Sequence, residues 1–354
     1  MATLIFGLGY LGAALASALA AERRPVVGMD NGFSTDWRAL GSLAAGSAGR
    51  LRIMRGDVRR QTDVDAAYRA AHPIDTVYLL AAQASAHPDA APATYTEETN
   101  LRGARLILEG ALRYGAPPVV VGSSFHVYGA APAAVVSEDR PYGVVGDLAH
   151  LSKIYVEKLG EMFAARDDLP VAPVRLGIVH GVGPVMKRDL RFVTVPHAFC
   201  LRALAGQPLE VHAGGQRPLG FVHLDDAVRA LRLAAGGRGY APANAVGEVA
   251  TALDVARLVQ QAAQAIGLAP DVRVHDDRRP PHPAQDASFT VVSRLERLGW
   301  RPQRDLATSI PEILAWYRAG SAEPRGTGGK MDRRSTACAG RGAISTTIQV
   351  GAAP

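Results

Sequence analysis

The sequence predicts an α/β fold, a doubly wound parallel sheet with a smaller C-terminal substrate-binding domain. Two observations carry this. The chain opens with an apolar run that meets Gly7-Leu8-Gly9-Tyr10-Leu11-Gly12 and then enters an alanine-rich helical stretch, Ala13 to Glu22. Beyond it, short apolar runs alternate with helical stretches as far as residue 175, which is the rhythm of βαβ units.

The opening stretch reads as strand, tight turn and helix. Gly7 permits the turn, Gly9 lets backbone approach a pyrophosphate, and Gly12 lets the helix pack on the strand. The helix N-terminus then offers free N–H groups and a positive dipole end to phosphates, so the turn is expected to bind a dinucleotide. Pro25 to Asp30 forms the second strand and ends in a carboxylate. An acid at that place accepts both adenosine ribose hydroxyls and repels a 2′-phosphate, which favours NAD over NADP. Asn31 and Ser34 follow on a loop with further hydrogen-bonding capacity.

Leu51 to Met54 is the third strand, and Gly56-Asp57-Val58 follows it. Asp57 is placed either to accept from an adenine amino group or to close an ordinary turn. After a helix over residues 61–70, Ile74 to Leu80 is the fourth strand, leading into Ala81-Ala82-Gln83, where small residues let a ligand come close. Asn100 starts an amphipathic helix, Leu101 to Tyr114, and Val119 to Val121 is the fifth strand. That strand delivers Ser123, Ser124, Phe125 and His126 to the carboxyl edge of the sheet, where such folds bind ligands. A helix from about Ala149 carries Ser152, Lys153 and Glu157. The i, i+4 spacing of Lys153 and Glu157 also fits a plain surface ion pair.

In the second half, Pro196 to Ala205 reads as a helix and Leu209 to His212 as a short strand. Asp225-Asp226 reads as an N-cap pair opening the helix Ala227 to Ala235, and Thr251 to Asp254 caps another from Val255 to Gly267. The basic, proline-rich loop 276–283 is either a connector or a flap over a substrate. Residues 1–175, with 218–248 returning to them, make the dinucleotide-binding domain. Residues 176–217 and 249–320 make the substrate domain, and 321–354 read as a disordered tail.

Composition narrows the class. A hydrophobic fraction of 48% supports a sizeable core. The two cysteines, Cys200 and Cys338, form no disulfide framework or metal-ligand pattern, so no metal is expected and a reducing cytoplasm fits. The turn glycines cut the opening apolar run far short of a membrane span. The net charge of +6 is shared between the last 34 residues and the folded body, and no basic stripe with interleaved aromatics argues for nucleic acid.

Taken in order, these stretches resemble the extended short-chain dehydrogenase/reductases, the NAD-dependent epimerase/dehydratase group acting mostly on nucleotide sugars. The resemblance covers about residues 2–320. It rests on Gly7-x-Gly9-x-x-Gly12, Asp30-Asn31, Gly56-Asp57-Val58, Leu80-Ala81-Ala82-Gln83 and Asn100. It continues through Ser123-Ser124-x-x-Val127-Tyr128-Gly129, Ser152-Lys153 with Glu157, and Phe221-x-x-Leu224-Asp225-Asp226. It implies a Rossmann domain holding NAD on Gly7, Gly9, Tyr10, Leu11, Gly12, Asp30, Asn31, Asp57, Val58, Ala81, Ala82, Gln83, Asn100 and Lys153. It implies hydride transfer at a carbinol carbon, with Ser124 polarising the reacting oxygen and Lys153 holding the nicotinamide ribose. Ser124, Phe125 and Arg217 are the expected substrate contacts. A small sugar-like substrate and a homodimer, paired through the helices after Asn100 and after Ala149, complete the picture.

The pattern breaks in three places. The family's acid/base is a tyrosine four residues before the lysine, and here that residue is Ala149, which moves no proton. His150, adjacent, and His126, on the facing loop, are the expected replacements, since histidine titrates near neutrality; Asp147 and Tyr142 are further choices. Ile178 stands where nucleotide-sugar members carry asparagine, and Leu219 where they carry a diphosphate-binding arginine, the nearest arginine being Arg217. Three readings follow: an NAD-dependent sugar epimerase/dehydratase or oxidoreductase with an atypical base, an oxidoreductase on a small intermediate lacking a diphosphate, or a non-catalytic NAD-binding member.

Overall fold

The computed structural model describes residues 1–87, 89–129, 134–276 and 288–320. Its first half is built from β1 (Ala2–Phe6), α1 (Tyr10–Ala21), β2 (Val26–Asp30), α2 (Trp37–Gly46), β3 (Leu51–Arg55), α3 (Gln61–Ala71) and β4 (Ile74–Leu79). There follow α4 (Ala93–Glu97), a π-turn over Glu98–Arg102, α5 (Gly103–Arg113), β5 (Val119–Ser124), β6 (Val135–Val136), α6 (Leu148–Asp167) and β7 (Val171–Leu176). The remainder comprises β8 (Ile178–His180), α7 (Val195–Leu204), β9 (Leu209–Val211), β10 (Pro218–His223), α8 (Leu224–Ala234) and β11 (Ala243–Ala245). The last elements are β12 (Glu248–Thr251), α9 (Ala252–Gln264), β13 (Val272–Val274), β14 (Thr290–Val291) and α10 (Leu306–Ala319).

The main sheet has seven strands in the order β11-β7-β5-β4-β1-β2-β3, every pair parallel. Alternate residues of one strand enter opposite cores. Ile5 of β1 packs with α1 and α8, whereas Leu4 and Phe6 pack with α3 and α5. Both faces are therefore buried, which is why these strands read as unbroken apolar runs. The strand order reverses direction between β1 and β4, so a crevice opens there at the carboxyl ends of the strands.

The smaller part has its own core. Side chains of α7, α9 and α10 enclose Phe199, Val255, Val259, Ile310 and Ile313. A three-stranded sheet, β12-β10-β8, lies between this core and the main sheet, and β9 pairs with β13. Residues 218–248 therefore do not return to the first domain as one piece. Strand β10 belongs to the small sheet, while α8 packs on the main sheet and β11 joins it. The sequence hides this because β10 is as apolar as a strand of the large sheet.

Of three end signals, one resolves as its sequence reading and two differently. Thr251 and Asp254 form a reciprocal capping box at α9, as the spacing predicts. At α8 the cap is instead His223, whose side chain accepts from the Asp225 amide. Asp226 is fully buried and accepts from Arg229 and from the amides of Gln303 and Arg304, so it anchors the segment before α10. The helix expected from Leu101 begins earlier, at Ala93, and Asn100 lies inside its π-turn. Most of loop 276–283, the tail 321–354 and Cys338 lie outside the described residues.

Candidate active site

A cavity of about 630 Å³ runs along the carboxyl edge of the main sheet. Its near end is the turn between β1 and α1. Gly7 has φ +93°, and a Cβ there would meet the Ala81 amide nitrogen at 2.5 Å. A Cβ on Gly12 would come within 1.9 Å of the Gly7 carbonyl oxygen. These two glycines let the turn, the helix and the strand-end of β4 coexist. Gly9 differs: a Cβ there meets nothing closer than Thr35 Oγ1 at 3.8 Å, and Gly9 lines the cavity. The protein itself does not require glycine at 9, which marks it as a place kept clear for a ligand. Together with the free N–H groups of the α1 N-terminus, that cradle fits a dinucleotide pyrophosphate.

Asp30 lies at the end of β2, on the cavity wall. Its Oδ2 accepts from the Leu8 amide and its Oδ1 from the Gly32 amide, both at 2.7 Å. Oδ2 accepts in addition from Thr35 Oγ1 at 3.3 Å, and Oδ1 keeps a further lone pair for a ribose hydroxyl. Asn31 also lines the cavity and donates to Asp57 and to the Tyr95 hydroxyl. Asp57 is held in place by Arg59. Burial opposes its charge, but hydrogen bonds from Arg59 and Asn31 win and hold it down to about 2. Asp57 is not on the cavity wall, whereas Val58, Ala81, Ala82 and Gln83 are. Asn100 is buried behind the wall: it accepts from the Gln83 amide and donates to the Gln83 carbonyl and to Ser152 Oγ. It positions the wall rather than forming it.

The far end carries titratable side chains. Lys153, expected from the resemblance at the nicotinamide end and by spacing alone also open to a surface pair with Glu157, turns into the cavity and donates to the Gly122 carbonyl at 2.7 Å. Burial pushes its ammonium down to about 8. Glu157, one turn on, enters a buried cluster. It pairs with Arg175 at 2.7 Å and accepts from Ser123 and Tyr142. Tyr142 is thereby committed to that cluster and is not on the cavity wall.

Ser124, His126, Ala149, His150 and Lys153 all line the same end. Asp147 caps α6, accepting from the His150 amide at 2.9 Å. Its other oxygen meets His150 Nδ1 at 2.5 Å. Burial favours the neutral Asp147 acid, but the bonds from His150 dominate and keep the carboxylate ionised. That contact puts a proton on Nδ1, and in the neutral ring Nε2 is then the acceptor. The His150 ring stacks on His126 with centroids 4.6 Å apart. His126 Nδ1 lies 3.4 Å from Ser124 Oγ. Burial, then His150 and Arg217, push His126 down to about 4.

Two expected substrate contacts land elsewhere. Phe125 is buried and stacks on Phe289 in an apolar cluster with Tyr128 and Val246, so it is not on the cavity wall. Ser124 ends β5 and caps the 3₁₀ turn Phe125–Tyr128, and that turn carries Phe125 into the apolar cluster. Arg217 donates to the Gly129 carbonyl beside this end and is not on the wall either. Leu219 packs against the core of the smaller part. Conversely, Met186, Lys187, Phe192 and Tyr317 line the cavity without any sequence motif to mark them. They come from a loop and a distant helix, which only the fold brings together.

A model of the NAD dependent epimerase/dehydratase family matches residues 3–241. Among curated relatives, a dTDP-4-dehydro-6-deoxy-D-allose reductase of Streptomyces bikiniensis is 28% identical over 319 residues, covering 88% of this chain and 94% of that protein. A dTDP-glucose 4,6-dehydratase of an Actinoplanes species is 27% identical, covering 79% and 84%. Among solved structures, MoeE5 in complex with UDP-glucose and NAD superposes with a TM-score of 0.72 at 25% identity, over 91% of this chain and all of that one. A UDP-glucose 4-epimerase of Thermotoga maritima reaches a TM-score of 0.76 at 20% identity, over 91% of this chain and all of that one, and shows the same fold.

Proposed function

The chain belongs to the NAD dependent epimerase/dehydratase family, and on that premise we propose that it catalyses hydride transfer at a carbinol carbon of a nucleotide-sugar or sugar-like substrate, with His150 as the acid/base. The observation that carries this is the Asp147–His150 pair lining the same cavity end as Ser124 and Lys153. Gly7 to Gly12, Asp30 and Asn31 would hold the pyrophosphate and adenosine, and Lys153 the nicotinamide ribose. NAD, when bound, supplies a hydride acceptor and donor.

The chain's residues handle the proton. Ser124 Oγ holds the substrate oxygen by a hydrogen bond. As the carbon gives up its hydride, His150 Nε2 takes the hydroxyl proton and a carbonyl is left. Were the carbonyl reduced again, His150 would give the proton back to its oxygen. Asp147 keeps the ring oriented and stabilises the imidazolium that forms in between. His126 is a poorer base, because a value near 4 gives it little proton affinity at neutral pH. Its place between His150 and Ser124 suits it to orient both.

A second reading is favoured by Leu219, whose apolar packing leaves no guanidinium at the family's diphosphate position. On this reading the substrate is a small hydroxylated compound without a diphosphate. Assembly through α6 is supported by Leu151, Tyr155 and Met162, which are exposed along that helix, and we read the enzyme as a homodimer. No helix among the described residues is long and apolar enough to cross a membrane; a cytoplasmic location is part of the same reading.

The test starts with the purified chain, NAD and a panel of dTDP- and UDP-sugars, following cofactor absorbance and isomer formation. His150→Ala is expected to lower kcat by about 10²–10⁴-fold with NAD affinity unchanged. An active wild type whose His150→Ala variant is equally active would sink the histidine assignment. An intact NAD complex inert toward every hydroxylated substrate would instead favour the non-catalytic alternative.

A further inference from the structure

The loop between β8 and α7 brings a cation into the dinucleotide end of the cleft. Lys187 Nζ donates to Ser34 Oγ at 3.3 Å and lines the cavity beside Asp30, Asn31 and Thr35. Burial pushes its ammonium below the usual lysine range, and the Asp30 carboxylate opposes that shift. The backbone here is anchored, since the Lys187 carbonyl accepts from the Tyr317 hydroxyl at 2.7 Å. Phe192, at the other end of the same loop segment, packs edge-on against Phe33 with centroids 5.8 Å apart. The loop thus rests on the rim that follows β2.

Asp30 alone argues against a phosphate at this place, because its charge repels one. Here that charge has two restraints. Backbone amides of Leu8 and Gly32 hold both oxygens, and the Lys187 ammonium on the same cavity wall interacts with its charge. The hydroxyls of Ser34 and Thr35 stand alongside, and Thr35 Oγ1 already donates to Asp30 at 3.3 Å. A point-charge ammonium with neighbouring hydroxyls is a common phosphate-binding set.

We propose that Lys187 contacts the adenosine ribose of the bound dinucleotide and extends the site's acceptance to the 2′-phosphorylated form. This rests on the proposed function only for the presence of a dinucleotide. It adds a cofactor contact from the substrate-side loop, so that acceptance of NADP is decided by a residue outside the glycine-turn domain.

Calorimetric titration of the full chain with NAD⁺ and with NADP⁺ tests it. The wild type is expected to bind NADP⁺ within about tenfold of NAD⁺. Lys187→Met should weaken NADP⁺ by at least about tenfold and NAD⁺ by no more than about threefold, with Lys187→Arg restoring NADP⁺. A wild-type preference for NAD⁺ beyond tenfold overturns the proposal, as does an equal loss of both dinucleotides in Lys187→Met. Should Lys187→Met melt early, Lys187→Gln replaces it under the same criteria. If neither dinucleotide binds the wild type, the proposed function itself falls.

Discussion

At the phosphate end of the cleft the chain presents backbone; at the catalytic end it presents side chains. Gly7 and Gly12 act through the absence of a Cβ, and the groups they expose are amides. On the proposed reading, His150 moves a proton, and Ser124, His126 and Lys153 hold or orient through polar atoms on the same cavity wall. The first end tolerates almost no sequence change, because its requirement is steric. The second can exchange one proton carrier for another, provided the new one reaches the same space. On the proposed reading, Ala149 at the position expected of the tyrosine, with a carboxylate-held His150 beside it, is such an exchange.

The steric end is broken most severely by Gly12→Val. A Cβ already falls 1.9 Å from a backbone oxygen, and neither partner is a flexible side chain. The expected outcome is loss of soluble, dinucleotide-binding protein. Gly9→Ala sharpens the contrast. Its nearest protein neighbour is 3.8 Å away, so the melting temperature should stay within about 2 °C while NAD affinity falls by tenfold or more. If Gly9→Ala keeps full affinity, the clearance at 9 does not serve a ligand.

Legibility in the sequence follows the same division. The glycine turn, Asp30 and the strand–helix alternation were readable because they are constraints on backbone, and backbone constraints leave residue types at fixed spacing. Helix α6 shows the limit. Lys153 and Glu157 have the spacing of a surface pair, yet one enters the cavity and the other an internal cluster. Spacing reports which residues share a helix face, not what that face is packed against. Phe125 and Lys187 fail for a related reason: one is carried into an apolar cluster by the 3₁₀ turn after β5, and the other arrives on a loop from elsewhere in the chain. Ala149 was visible as a gap, but only the fold shows that Asp147, His150 and His126 gather around it.

The internal cluster under the catalytic end supports the next test. Arg175 and Glu157 are both buried, with 4% and 0% of their side chains exposed. Glu157 also accepts from Ser123, and Arg175 donates to the Tyr128 hydroxyl at 2.6 Å and to the Glu138 carbonyl. Arg175→Met leaves a carboxylate buried without its cation, which costs about 3–5 kcal/mol. Chemical denaturation should show that loss, whereas NAD affinity of the folded fraction should hold, because neither residue is on the cavity wall. A loss below about 1 kcal/mol would mean that the hydroxyls around Glu157 suffice to hold it.

An effect of similar size, spread over three side chains, concerns the histidines themselves. His126 is held down to about 4, His197 to about 4 and His180 to about 3, burial being the first cause in each. His180 faces His223 and His197, with Asp305 and Arg304 nearby and Glu248 3.8 Å away. His126 faces His150, Arg217 and Asp147. All three values lie below that of an unfolded histidine, near 6.5, so the fold accepts only the neutral rings. Their contribution is complete above about 6.5 and declines as the pH falls from there toward 4, since the unfolded chain takes up protons that the folded chain refuses. The slope is about 1.4 kcal/mol per pH unit for each histidine. Most carboxylates remain ionised above about pH 5, so a comparison of urea midpoints at pH 7.5 and 5.5 isolates the histidines. Stability should drop between the two, and His197→Phe should remove part of the drop. Equal midpoints would show that these rings are protonated in the folded protein. His150 would then share its end of the cleft with a charged neighbour at His126, and the contrast between a neutral orienting ring and a working base would fail.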